Sequence, residues 1–445
     1  MANSLALAER NVPRYTSYPT APHFSPSVGA GVYADWLAAL PAAATLSLYI
    51  HVPFCTELCH YCGCNTKAVR QREPVETYAN QLIKEIALYR PLAGRKVVHL
   101  HWGGGTPSIL GVERIADIID KLAAVFDMSA LREHAIELDP RRIGATHARA
   151  LAALGVTRAS LGVQEFAAHV QEAMGRIQPF DTVARVVGLL RDAGIEDINF
   201  DLMYGLPRQS ADDVARTADL AASLEPQRLA LFGYAHVPWF KTHQQLIDEA
   251  TLPGLSERIE QTRVAARKLA EHGYAAIGLD HFAKPDDELA VAAKAHRLHR
   301  NFQGYTTDAA DALIGLGATA IGRLPQGFVQ NAPDLGGYDR AIAAGRFASV
   351  KGVAFSAADR LRGTIIERLM CDLEVDAAAL ARAAGSDADF AAELEAIAPL
   401  ACEGLLQIEG SRIRISEAGR PYVRLVAAAF DSYLPGNHKR HSIAV

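Results

Sequence analysis

Apolar runs alternate with amphipathic stretches between about residues 46 and 283. The runs are rich in β-branched and aromatic residues, and in the stretches between them apolar residues recur every three or four positions, as on helices that pack against a core. Strand and helix signals repeated in this order predict βα units around a parallel sheet. The predicted strands are 46–53, 97–104, 134–140, 158–164, 197–205, 228–235 and 274–282.

Near-continuous apolar strands indicate burial on both faces of the sheet, which suits either a doubly wound sheet or a complete or partial βα barrel. Periodicity does not separate these two architectures. In both, the active site lies at the carboxyl ends of the strands. These ends are polar and glycine-rich here, and we therefore expect them to form one shared site. They carry His51, 103–107, Glu137, Gln164, Asp201 and 234–236.

Changes in composition divide the chain into three predicted parts. Residues 1–45 contain the proline- and aromatic-rich segment RYTSYPTAPHF (14–24) and are interpreted as an N-terminal arm or lid. Residues 46–350 form the catalytic α/β unit. From 351 to 445 the sequence is alanine-rich with a helical period and ends in a short strand-like RIRIS (412–416), which predicts a small helical domain.

Charge and composition exclude several classes of function. The 445 residues are 50% hydrophobic and 21% charged, and 45 Lys and Arg against 50 Asp and Glu give a net charge of -5. No global positive field is available for nucleic acid. The sequence contains no uninterrupted apolar run long enough to cross a bilayer, and its first residues do not resemble a secretion signal. We expect a cytoplasmic protein.

Four of the six cysteines lie between residues 55 and 64. Cys55, Cys59 and Cys62 are separated by three and then two residues, directly after the first predicted strand. Three thiolates in so short a loop can bind three irons of a 4Fe-4S cluster and leave the fourth iron open, as a catalytic centre requires. A structural zinc site is the alternative, with Cys64 as a fourth ligand.

The C-x3-C-x2-C pattern, with Tyr61 before its last cysteine, resembles the signature of the radical S-adenosylmethionine (SAM) superfamily. In that superfamily the open iron binds SAM, and reductive cleavage of SAM gives a 5'-deoxyadenosyl radical. The glycines of GGGTP (103–107) allow backbone groups to approach such a cofactor closely.

Longer motifs make the resemblance narrower. The arm at 14–24, DLMYGLP (201–207), GLDHFAKPDDELA (278–290) and HRNFQGYTT (299–307) are similar to the family of oxygen-independent coproporphyrinogen III oxidases. This resemblance implies a partial (β/α)6 TIM-like barrel, a 4Fe-4S cluster, two SAM molecules and a mostly helical C-terminal domain. The implied reaction converts two propionates of coproporphyrinogen III to vinyl groups, giving protoporphyrinogen IX.

The resemblance also implies roles for individual residues. Cys55, Cys59 and Cys62 would hold the cluster, whereas Cys64 matches a fourth cysteine of the cofactor loop that is not a ligand in the usual picture. Contacts to the cluster-bound SAM would come from Tyr49, Gly104, Gly105, Thr106, Glu137, Gln164, Arg176 and Asp201. Met203, Ala235 and Ile321 fall where the family places contacts to the second SAM.

A substrate with four carboxylates needs local positive charge, and Arg14 and Arg300 are candidates for binding its propionates, with internal ion pairs as the alternative. Tyr15, Tyr18 and Phe24 of the arm are expected to cover the macrocycle and exclude water. We further expect a monomer that receives electrons from a low-potential donor such as a flavodoxin or ferredoxin.

Two kinds of alternative function stay open at this point. Haem chaperones and haem-degrading methyltransferases share the cluster motif but act differently on tetrapyrroles. A non-catalytic protein that carries zinc or haem is the alternative from another class.

Overall fold

A mixed sheet of 12 strands forms the centre of the structure, a computed structural model that describes residues 10–434. The strands in chain order are β1 (Leu46–Val52), β2 (Phe54–Cys55), β3 (Lys67–Ala68), β4 (Val97–Gly104), β5 (Glu133–Leu138), β6 (Arg158–Gln164), β7 (Asp197–Tyr204), β8 (Arg228–Gly233), β9 (Ala275–Ile277), β10 (His281–Ala283), β11 (His299–Asn301), β12 (Gly304–Thr306), β13 (Ala312–Leu316), β14 (Ile321–Leu324), β15 (Gly327–Asn331), β16 (Ser349–Ala354), β17 (Glu374–Asp376), β18 (Leu406–Glu409) and β19 (Arg412–Ile415).

Helices follow most of the central strands. They are α1 (Ala30–Ala38), α2 (Glu73–Leu88), α3 (Val112–Ala123), α4 (Ala145–Ala153), α5 (Ala168–Ala173), α6 (Phe180–Asp192), α7 (Ala211–Ser223), α8 (Leu255–Glu271), α9 (Glu288–Lys294), α10 (Leu335–Ala343), α11 (Ala357–Asp372), α12 (Ala377–Ala383), α13 (Ala391–Cys402) and α14 (Val423–Ala429). None of the helices within residues 10–434 has the length and apolar character that a membrane span needs.

The order of strands in the large sheet is β16-β15-β14-β13-β1-β4-β5-β6-β7-β8-β10-β9. Strands β1, β4, β5, β6, β7 and β8 run parallel and each is followed by a helix, so that six βα units succeed one another. Strands β9 and β16 lie at the two ends of this order and do not pair with each other. The arrangement confirms the predicted partial (β/α)6 barrel.

The core of the barrel explains why the apolar runs form strands. Leu48, Trp102, Ile136 and Phe200 are at most 1% exposed on four of the parallel strands, β1, β4, β5 and β7. Helix α2 packs its apolar positions on this sheet, and it also buries one carboxylate, that of Glu85. This carboxylate accepts hydrogen bonds from Gly317 N, Asn331 Nδ2 and Tyr338 Oη at 2.7–2.9 Å.

The structure corrects one predicted strand and adds others. Residues 274–282 do not form a single strand but divide into β9 and β10, which pair antiparallel. Gly278 has φ 53° at the turn, where a Cβ would lie 2.1 Å from the ring of Tyr305. The contact from a distant strand therefore bends the chain here. Strands β13–β16, which extend the sheet beyond β1, were not predicted.

Helices α11–α14 and the small sheet β17-β19-β18 enclose a second core, as predicted for a mostly helical C-terminal domain. Tyr15 and Tyr18 of the arm are buried in this core, where Tyr15 donates to Asp431 (3.0 Å) and Tyr18 bonds to Ser432 (2.8 Å). Phe24 stacks on Phe328 at 5.8 Å between ring centroids. These contacts correct the expectation that the three rings cover a substrate, because their faces already pack on protein.

Candidate active site

The cysteine loop leaves the carboxyl end of β1 and begins with Cys55 in β2. Hydroxyl groups of Thr66 and Thr106 both donate to the Cys55 sulfur at 3.4 Å. Burial raises the pKa of Cys55, the two hydroxyl hydrogen bonds oppose this, and the nearby Cys62 and Cys59 thiols add to the increase. Three soft sulfur ligands are thus held together in one partly buried loop.

This donor set fits three ligand positions of a 4Fe-4S cluster. Within residues 10–434, no three His, Cys, Asp or Glu side chains converge as the ligands of a single metal ion would. A cluster makes a different demand, because each thiolate binds a different iron atom. Cys64 is exposed and hydrogen-bonds to Cys62, which lowers the pKa of Cys62 to about 7.

The glycine turn after β4 packs directly against the cysteine loop. Gly105 N donates to Val52 O (2.8 Å) and Thr106 N donates to Phe54 O (2.7 Å). A Cβ on Gly105 would lie 2.4 Å from Phe54 O, so only glycine permits this approach. The predicted neighbours Gly105, Thr106 and Cys55 are therefore brought together by backbone contact.

Tyr49 and Glu137 lie beside the same turn. Gly104 N donates to Glu137 Oε2 (3.1 Å), and the other carboxylate oxygen is 3.2 Å from His101 Nε2. The ring of Tyr49 stacks on His101 with 5.9 Å between centroids, and its hydroxyl bonds to His51 Nδ1 at 3.0 Å. His101 was missed in the sequence analysis, although its position two residues before Gly103 on β4 places both on one face of the strand.

Arg176 joins the cysteine loop to the strand ends. Its Nη1 donates to Cys59 Sγ (3.5 Å), and its Nη2 lies 2.8 Å from Gly162 O, 2.9 Å from Gln178 Oε1 and 3.3 Å from Asp139 Oδ1. Arg176 as a whole is 7% exposed. Burial would raise the pKa of Asp139, but hydrogen bonds from Arg141 and the charge of Arg176 outweigh it and lower that pKa.

Gln164 and Asp201 continue the polar rim at the ends of β6 and β7. Gln164 has φ 70°, an unusual conformation for a residue other than glycine, which re-aims the chain as β6 ends. Asp201 accepts hydrogen bonds from Ser160 (3.0 Å) and Asn199 (3.1 Å). Burial raises the pKa of Asp201 to about 6, and the negative charge of Glu137 contributes in the same direction.

The residues expected to contact a second SAM are more dispersed. Met203 lies near the end of β7 and Ala235 follows β8, so these two are on neighbouring strands. Ile321 begins β14, on the other side of β1 in the strand order. Their role stays a prediction.

The segment 241–244 after β8, which was not predicted to belong to the site, hydrogen-bonds to backbone carbonyl groups of the cysteine loop. Lys241 Nζ donates to Cys64 O (2.8 Å), His243 Nε2 bonds to Cys62 O (2.7 Å) and Gln244 Nε2 donates to Tyr61 O (3.1 Å). These contacts fix the backbone carbonyl groups of the loop, so its shape depends on residues 177 to 183 positions later in the chain.

The two predicted substrate arginines lie near the end of β8. Arg14 is exposed, and its Nη2 donates to Gly233 O at 2.9 Å. The side chain of Arg300 is buried, lies 3.7 Å from Asp280 and places its guanidinium 4.3 Å from the centroid of the Tyr305 ring. For Arg300 the structure favours the internal ion pair that was the alternative.

Comparison with known proteins places this architecture among characterised ones. Residues 49–221 match the model of the radical SAM superfamily, and residues 355–422 match that of the HemN C-terminal domain. The oxygen-independent coproporphyrinogen III oxidase of Bradyrhizobium diazoefficiens is 46% identical over 445 residues, covering 99% of both chains. That of Escherichia coli is 39% identical over 425 residues, covering 95% of this chain and 93% of that one. The solved structure described as coproporphyrinogen III oxidase (HemN) from Escherichia coli, a radical SAM enzyme, superposes with a TM-score of 0.90 at 37% identity and covers 96% of this chain and 100% of that chain.

Proposed function

Because this chain belongs to the family of oxygen-independent coproporphyrinogen III oxidases within the radical SAM superfamily, we propose that it converts two propionate side chains of coproporphyrinogen III to vinyl groups. The product is protoporphyrinogen IX, and the reaction serves haem biosynthesis without oxygen. The observation that carries the proposal is the glycine turn packed on a three-cysteine loop, in a chain that is 46% identical to such an oxidase along its whole length.

Cys55, Cys59 and Cys62 would hold a 4Fe-4S cluster, and the polar strand ends around them would bind SAM. When bound, the cluster and SAM supply a 5'-deoxyadenosyl radical that removes a hydrogen atom from each reacting propionate. Gly104, Gly105 and Thr106 would line the cofactor site. Tyr49, Glu137, Gln164, Arg176 and Asp201 complete its surroundings, and Met203, Ala235 and Ile321 would contact a second SAM.

The chain's own groups suit these roles chemically. Glu137 and Asp201 are the kind of acceptors that ribose hydroxyls or an ammonium group need. The stacked rings of Tyr49 and His101 offer a flat surface beside the glycine turn. Arg176 Nη1 donates to Cys59 Sγ and so places a positive charge beside one of the predicted cluster ligands.

Substrate binding, partners and domain organisation complete the proposal. Arg14 would contact a propionate, and a low-potential flavodoxin or ferredoxin would supply electrons. We propose a cytoplasmic monomer in which residues 46–350 form the catalytic barrel, 1–45 the arm and 351–445 the C-terminal domain.

The test is anaerobic incubation of the iron-reconstituted protein with SAM, a low-potential reductant and coproporphyrinogen III, with products followed by mass. Loss of two carbon dioxide units with formation of 5'-deoxyadenosine and methionine is expected. SAM cleavage without decarboxylation would refute the proposed substrate and favour a haem chaperone or a haem-degrading methyltransferase. A protein that binds zinc and no iron would refute radical chemistry altogether.

A further inference from the structure

A buried arginine outside the cofactor surroundings lies at the carboxyl ends of β7 and β8. Arg258 is in the first turn of α8, and its guanidinium lies 5.1 Å from the centroid of the Tyr204 ring. A Cβ on Gly205 would be 2.0 Å from Arg258 Nη1, and one on Gly233 would be 3.0 Å from Nη2. Two glycines at the strand ends therefore make room for this guanidinium.

The charge of Arg258 has little compensation. The residue is 8% exposed and its Nε lacks a hydrogen-bond partner. Its guanidinium hydrogen-bonds to the side chain of Tyr204, but no carboxylate within residues 10–434 pairs with it. A buried cation without an anion costs several kcal/mol. Burial lowers the pKa of Arg258, and the charge of Arg14 contributes in the same direction. Such a group is suited to receive an anion.

The guanidinium of Arg14 lies beside the same strand end as that of Arg258. Arg14 donates to the carbonyl of Gly233, whose Cα lies beside Arg258. Arg300 adds a third positive charge, and the carboxylate that balances this group is Asp280. The charges of Arg300 and Arg14 lower the pKa of Asp280 against the effect of burial. Three guanidinium groups with one carboxylate leave a local excess of positive charge beside the end of β8.

We infer that Arg258, together with Arg14, forms a subsite that binds a carboxylate at the ends of β7 and β8. The inference rests on the proposed function, in which the carboxylate is a propionate of the tetrapyrrole. Parallel strands bring this subsite to the same edge of the sheet as the cysteine loop. A substrate whose carboxylate binds here would therefore extend toward the cofactor. A guanidinium can form two parallel hydrogen bonds to a carboxylate, which fixes orientation as well as charge.

The test measures binding separately from turnover. Reconstituted protein is titrated anaerobically with coproporphyrin III, the oxidised and fluorescent form of the substrate, and with its tetramethyl ester, which has no carboxylates. The variants are Arg258→Gln, Arg258→Lys and Arg14→Gln. Arg263→Gln is the matched control, because Arg263 lies on the same helix but is 70% exposed and pairs with Glu260. Iron content and thermal unfolding show whether each variant is folded.

We expect Arg258→Gln to raise the Kd for coproporphyrin III about tenfold or more. The Kd of Arg258→Lys should lie between those of the wild type and Arg258→Gln. Arg14→Gln should also raise the Kd, and Arg263→Gln should leave it unchanged. Affinity for the ester should not respond to any of these changes.

Two results would overturn the inference. One is an unchanged Kd for coproporphyrin III in folded Arg258→Gln or, if that variant does not fold, in Arg14→Gln, whose exposed side chain makes folding less sensitive. The other is a loss of SAM affinity in equilibrium dialysis with porphyrin affinity retained, which would assign the carboxylate to SAM. A wild-type protein that binds coproporphyrin III but does not decarboxylate coproporphyrinogen III would refute the proposed function and leave the subsite standing.

Discussion

Replacing Gly105 by alanine tests whether the glycine turn must pack directly on the cysteine loop. The new Cβ would lie 2.4 Å from Phe54 O and 2.5 Å from Thr66 Oγ1. Since Cβ contacts below 3.0 Å essentially never occur, the turn and the loop must separate by about 0.6 Å. The hydroxyl can rotate away, but the carbonyl is backbone and cannot yield without moving the loop.

The separation strains two hydrogen bonds, from Gly105 N to Val52 O and from Thr106 N to Phe54 O. Overpacking of this kind costs roughly 1–3 kcal/mol. A displacement approaching 1 Å in a reacting geometry lowers a rate by about a hundredfold. We therefore expect Gly105→Ala to remain folded but to cleave SAM ten- to a hundredfold more slowly, by the order-of-magnitude scale for misplaced reacting groups.

The assay is formation of 5'-deoxyadenosine by the anaerobically reconstituted protein, with iron and sulfide content measured on the same sample. Gly63→Ala is the matched control, because Gly63 lies between Cys62 and Cys64 and a Cβ there would meet nothing within 4 Å. Wild-type cleavage by Gly105→Ala would refute the close approach. Equal losses of SAM cleavage in Gly105→Ala and Gly63→Ala would show that any added carbon disturbs the loop, so the close packing of the glycine turn would not be the cause.

Three further predictions concern single side chains. Cys64→Ala should retain the iron that Cys62→Ala loses, since three thiolates suffice, and equal iron loss from both would identify Cys64 as a ligand. Arg176→Lys should weaken SAM binding about tenfold, because one ammonium cannot meet the four acceptors around Arg176, and an unchanged SAM affinity in equilibrium dialysis would contradict this. Burial raises the pKa of Glu85 to about 7, so between its unfolded pKa of 4.5 and pH 7 the folded state holds more protons and stability falls as pH rises. The loss is on the order of 3 kcal/mol, and denaturant unfolding at several pH values should show it in the wild type and not in Glu85→Gln.

The parts of the site that could be predicted from the sequence are those whose residues lie close together in the chain or at the ends of predicted strands. The spacing of Cys55, Cys59 and Cys62 places three potential ligands within one loop. Parallel strands bring their carboxyl ends to one edge of the sheet, whatever the length of the segments that connect them. Glu137 and Gly104 could thus be assigned to one site from separate strands, and a hydrogen bond joins them. Which groups each residue touches in the cofactor stays a prediction.

Other features depend on contacts between residues far apart in sequence. Residues 274–282 have the composition of one strand, yet the Tyr305 hydroxyl accepts a hydrogen bond from Leu279 N and its ring occupies the space beside Gly278. Arg258 looks like an ordinary polar position of an amphipathic helix, and only the fold places it against glycines from two strands. No local pattern distinguishes such a residue from the exposed Arg263 five positions later.

The arm shows how one short segment can serve two surfaces. Its aromatic and hydroxyl composition suggested a cover for the substrate, but the same groups suit a buried boundary, where Tyr15 and Tyr18 find hydrogen-bond partners in the C-terminal domain. Arg424 of that domain donates to Pro13 O at 2.9 Å, directly before Arg14. The arm is therefore held by one domain while Arg14 reaches the end of β8 in the other. Through this connection the C-terminal domain sets the position of a charge at the mouth of the barrel, although its own helices lie outside it.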